Sequence, residues 1–100
     1  MIRLQIVERP GANLRRKLLA AVRSGELRTF KSEKRGQKIL HITHPGWMNW
    51  SSSAGVITAE IKTPKRPGEE WKLLGALVGR LADRFADDVH GIHIQFVSED

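Results

Sequence analysis

The sequence predicts an α+β domain in which two helices pack on one face of a mostly antiparallel sheet of four to five strands. Three observations lead there. Stretches alternating apolar with polar residues recur at Ile2–Ile6, Lys38–His44, Val56–Thr63 and Ile92–Phe96, the period of half-buried strands. Two longer stretches, from about Ala12 to Ser24 and from about Glu69 to Asp88, repeat their apolar residues at the helical period. Proline- and glycine-containing breakers separate these stretches. The resulting order, β-α-(β)β-β-α-β, suits a ferredoxin-like split βαβ arrangement. The alternative is an αβββα core over residues 12–88 with a flanking strand at each end. Either way, residues 1–100 are expected to form one domain.

Element by element, Ile2, Leu4 and Ile6 alternate with Arg3 and Gln5, and Pro10-Gly11 ends the strand. Leu14, Leu18, Ala21 and Val22 share one face of the first helix, while Arg15, Arg16, Lys17 and Arg23 cover the rest. Gly25 is its C-terminal stop, because glycine accepts positive φ. Leu27–Lys31 fits a short strand that turns through the basic tip Lys34-Arg35-Gly36-Gln37-Lys38. In the next strand Leu40 and Ile42 are expected to face the core, with His41 and Thr43 outward. The stretch from His41 to Lys62 reads as strand, loop, strand, with GWMNWSSSAG as the loop. Ile57, Ala59 and Ile61 then face inward.

Thr63–Gly68 breaks the chain before the stronger helix, whose core stripe is Leu74, Leu77, Val78, Leu81 and Phe85. Glu69 and Glu70 suit the positive end of its dipole. Gly75, Gly79, Ala82 and Ala86 form a strip fit for close approach to a sheet or helix, and Trp71 is expected in the core. Charges at Lys72, Arg80, Asp83 and Arg84 rule out a membrane-dimer reading of the glycine spacing. The last strand turns Ile92, Ile94 and Phe96 inward. Arg3, Gln5, His41, Thr43, Thr58, Glu60, Lys62, His93 and Gln95 should then share one uncovered polar sheet face.

With 40% hydrophobic and 28% charged residues, the 100-residue chain has a globular composition. It has no cysteine, which excludes disulfides, thiolate zinc sites and cysteine nucleophiles. The N-terminal MIRLQIVERPG is too short and too charged for a signal peptide, no apolar run has membrane-spanning length, and a cytoplasmic location is expected. Charge is uneven. Residues 1–40 hold eleven Lys/Arg against three Glu, whereas residues 69–100 hold three against seven acids, within a total of +6. A basic half fits a polyanion or an acidic protein as partner, or serves only solubility.

Chemical motifs are sparse. His41/His44 and His90/His93 are spaced HxxH, but positions i and i+3 of a strand point to opposite faces, so neither pair chelates as written. His41 and His93 would share a face and could meet. Glu60-Ile-Lys62 has the E-x-K spacing of metal-dependent nucleases, yet the second acid such chemistry needs is missing nearby. Asp83, Asp87 and His90 would line one helix face if the helix ran that far. No nucleophile elbow, phosphate-cradling glycine loop or dinucleotide fingerprint occurs.

The expected function is therefore a non-enzymatic nucleic-acid-binding module of weak sequence specificity, for RNA or DNA, with no cofactor and no metal. The full basic set is Arg15, Arg16, Lys17, Arg23, Arg28, Lys31, Lys34, Arg35, Lys38, Lys62, Lys65 and Arg66. Within it Arg15, Arg16, Lys17, Arg28, Lys34, Arg35, Lys38, Lys65 and Arg66 are the expected phosphate contacts, and Trp47 and Trp50 the expected stacking rings. The alternative is a protein–protein interaction or oligomerisation module, a homodimer or an inhibitor of an acidic partner.

Overall fold

The computed structural model describes residues 1–63 and 69–97. It is α+β: β1 (Ile2–Glu8), α1 (Leu14–Ser24), β2 (Phe30–Glu33), β3 (Lys38–His41), β4 (Trp47–Ser53), β5 (Val56–Lys62), α2 (Glu70–Arg84) and β6 (Val89–Phe96). The strands form a single open sheet in the order β2-β3-β4-β5-β1-β6, and every described pairing is antiparallel. Six strands replace the expected four or five. Between the helices runs a four-stranded meander, so neither the ferredoxin-like order nor the αβββα order is reproduced.

The added strand is β4, which was expected to be a loop. Its alternation is plain once paired: Met48 and Trp50 are buried, while Asn49 and Ser51 are exposed. Ser53 pairs with Val56, leaving a two-residue turn of Ala54 (φ 52°) and Gly55 (φ 79°). Two consecutive positive φ values match the twist of the flanking strands, as in a type I′ hairpin. Gly46 (φ 111°) enters β4 so close to β5 that an added Cβ would fall on the Lys62 carbonyl oxygen.

One hydrophobic cluster joins both helices to one sheet face. It includes Leu4 and Ile6 of β1, Ile39, Met48 and Trp50 of β3 and β4, Ile57 and Ile61 of β5, Leu14 and Leu18 of α1, and Leu73, Leu77 and Leu81 of α2. The inward faces of β1 and β5 and the buried stripe of α1 are those expected. Glu8 accepts the Leu14 N–H at 2.7 Å and so satisfies the first turn of α1. Gly25 (φ 85°) stops that helix, and its N–H returns to the Val22 carbonyl.

Four expectations are corrected. In β3 it is Ile39 and His41 that face the helices, because their partners Met48 and Phe30 are buried; Leu40 faces the open side beside Trp47. Helix α2 ends at Arg84, four residues early, because Phe85 leaves helical geometry (φ −125°, ψ 17°) to bury its ring before a short 3₁₀ turn. Gly75 and Gly79 are exposed with open space where a Cβ would stand, so the small-residue strip faces solvent. Trp71 is 60% exposed.

Replacing Gly46 with Ala adds left-handed strain to a backbone collision. We expect Gly46→Ala to lower the urea unfolding midpoint by the equivalent of roughly 2 kcal/mol or more.

Candidate nucleic-acid interface

Two surfaces carry the basic residues, one on the open sheet face and one beside α1. The first is the sheet face that carries no helix. On it the cross-strand register aligns Lys31 with Leu40, Leu40 with Trp47, and Trp47 with Lys62. The Lys38 ammonium sits 5.3 Å from the Trp47 ring centroid, within cation–π range. The half-buried Trp47 thus lies in a row of exposed lysines on an uncovered sheet. The neighbouring row runs Glu33, Lys38, Asn49, Glu60 and Arg3, where Arg3 binds Glu60 at 3.3 Å.

The second surface is an open cleft of about 390 Å³ between α1 and the far end of β4, lined by Glu8, Arg15, Arg16, Leu19, Arg23 and Ser52. Leu19 also anchors the β2–β3 tip: a Cβ on Gly36 would stand 2.7 Å from its Cδ2. That contact brings Lys34 of the tip to the arginine flank of α1. The alternation Met48, Trp50, Ser52 was the signal that placed Ser52 on this side, and it was missed with the strand.

The expected site residues divide accordingly. Arg15 and Arg16 line the cleft, joined by Arg23, and Lys34 belongs to the β2–β3 tip whose Gly36 packs on Leu19. Lys17 occupies the other flank of α1, where its Nζ binds Asp88 at 2.9 Å. Arg28 is exposed in the turn after α1. Lys38 and Trp47 share the open face, together with Lys31 and Lys62. Trp50, expected to stack, belongs instead to the core at 4% exposure and offers no ring face to a base. Lys65, Arg66 and the Arg35 side chain lie outside the described residues.

The histidines behave differently from expectation. Because β3 stops at His41, the next residues bend, and the His41 and His44 rings stack at 4.4 Å. His41 Nδ1 accepts N–H bonds from Thr43 at 3.1 Å and His44 at 3.2 Å, so the neutral ring carries its proton on Nε2. His41 and His93 do not meet. They lie on strands four places apart and on opposite faces. Glu33, on β2, is three strands from Glu60 on β5, too far to complete an E-x-K metal site. Asp87 follows the end of α2 and does not continue its face. Among the described residues, no three His, Asp or Glu side chains group as a metal site.

Burial, then the neighbouring His44 and Arg80, hold His41 below its ordinary pKa of 6.5. A depressed base stays neutral in the fold while the unfolded chain takes up a proton, so stability is lost as pH falls below about 6.5. We expect the melting temperature to drop between pH 6.5 and 5, and His41→Gln to flatten that drop. Comparison of the chain with protein-family models, curated proteins and solved structures gives no match.

Proposed function

We propose that this protein is a non-enzymatic nucleic-acid-binding module that holds a single strand on its open sheet face with little sequence preference. The observation that carries the proposal is Trp47, set on an uncovered sheet with Lys38 against its ring and Lys62 opposite it in register. An aromatic ring offers a base-stacking platform indifferent to sequence, because every base has a π face. Lysines around it neutralise phosphates as point charges and carry no bidentate base readout. The cleft arginines Arg15, Arg16 and Arg23 supply a second set of phosphate contacts. The β2–β3 tip separates the two surfaces, with Lys38 on one side and Leu19 beneath the other. A flexible strand can pass over that tip from the cleft to the ring, whereas a stiff duplex reaches only one of the two.

Fluorescence anisotropy with unstructured single-stranded RNA and with duplex DNA tests this. The single strand should bind more tightly, with affinity falling steeply as salt rises. Trp47→Ala should cost roughly 1–3 kcal/mol of single-strand binding with folding intact, whereas Trp50→Ala should cost roughly 3–5 kcal/mol of stability. Arg15, Arg16 and Arg23 replaced together by Ala should weaken binding evenly across sequences and flatten the salt slope. No binding at low salt would overturn the proposal.

A further inference from the structure

The two edges of the sheet differ. The β2 edge is four residues long, FKSE, carries Lys31 and Glu33, and runs into a 3₁₀ turn. Short length and charge are the usual protection of an exposed edge. The β6 edge has neither. Its eight residues, VHGIHIQF, include no Lys, Arg, Asp or Glu, and among the described residues only β1 pairs with them. Ile94 and Phe96 share the helix-side face with Leu4 and Ile2, their register partners, yet stand 37% and 72% exposed.

Trp71 adds to this edge. Arg80 of α2 lies near enough to His41 to act on its charge, and Arg84 binds Glu26, just past α1, at 3.2 Å, so that flank of the helix is on the β3 side. The helical period puts Trp71, Leu74 and Val78 on the opposite flank, toward β6. The Met1 amino group meets Glu70 at 3.7 Å while the Val97 N–H binds the Met1 carbonyl, so the start of α2 lies at the Phe96 end of the strand. Of the exposed large apolar side chains among the described residues, Val7, Ile42, Trp71, Ile94 and Phe96, three belong to this one seam.

We propose that β6 pairs antiparallel with β6 of a second copy, joining two sheets into one about a two-fold axis. A strand paired with itself must offer the same surface to both sides, and this one does. A two-fold perpendicular to the sheet keeps helix-side residues together, so Ile92, Ile94 and Phe96 meet their counterparts while the two Trp71 rings flank the seam. The strand brings no formal charges into opposition. Arg15, Arg16 and Arg23 of α1 flank Leu19, which packs under the β2–β3 tip away from β6, and Lys17, on the β6 side, is paired with Asp88, so two copies of a +6 chain approach through the side with fewer unpaired basic groups.

Sedimentation equilibrium at micromolar concentration should give twice the 11.3 kDa chain mass. Ile94→Lys and Phe96→Lys should each give a monomer with unchanged circular dichroism. Because the chain has no cysteine, His93→Cys and Gln95→Cys, alone and mixed, provide an independent reading. At least one combination should form a disulfide-linked dimer on mild oxidation, while Ser53→Cys should not. A wild-type monomer at the highest concentration reached, a dimer indifferent to both lysines, or no crosslink in any combination would each overturn the proposal.

Discussion

Width is the constraint on which this architecture turns. Six strands set about 4.8 Å apart span roughly 24 Å between the edge strands, and two helices packed side by side cover roughly 20 Å. One edge must therefore remain partly uncovered. Contacts to β2 and a Leu19 anchor on the tip commit α1 to the first edge, while α2 rests on β5 and β1. The shortfall lands on β6. Ile94 and Phe96 keep the alternation of a buried strand but have no helix above them, which is why they are exposed although they point to the core side.

Much of the layout was legible from periodicity. Strands β1 and β5 and helix α1 each have one clean apolar face, and their burial followed it. Legibility failed where two phases competed. Ile39 and Leu40 are adjacent, so β3 has no alternation of its own, and its facing is decided by the buried partners Phe30 and Met48. Helix α2 carries leucines at 73, 74, 77 and 81 with Val78 beside them, an apolar arc wide enough to leave open which flank is covered. Trp71 lies just beyond that arc.

The stretch read as a tryptophan and serine loop failed for another reason. Three serines in succession and an Ala-Gly turn lack the β-branched composition and the Asn-Gly signal by which hairpins announce themselves. Pairing along seven residues to β5 overrode local propensity. The consequence for the site is direct. In a loop Trp47 and Trp50 are equivalent candidates; in a strand, three residues apart, they must point to opposite faces. One becomes core and the other stays available. The pair's ambiguity was thus a question about secondary structure.

The asymmetry of charge along the chain becomes only in part an asymmetry in space because of the connectivity. Of the basic segment 1–40, β2 and β3 form one edge of the sheet, while β1 lies next to β6 and Lys17 of α1 pairs with Asp88; the acidic segment supplies α2 and the turn before β6. The proposed polyanion contact centres on Trp47 of β4 and the proposed self-association on β6, so the two would draw on different strands. A two-fold through β6 would keep both open faces on the same side of one continuous sheet. The two Trp47 rings would then stand seven strand spacings apart, roughly 34 Å across the strands before twist, and further apart along them, because Trp47 is level with the end of β6. A single strand long enough to cover that span would engage both rings at once. Its second contact would form at the high effective concentration of a tethered site. Weak individual stacking on each copy would then suffice for firm binding of long strands and poor binding of short ones, a length dependence that neither surface produces alone.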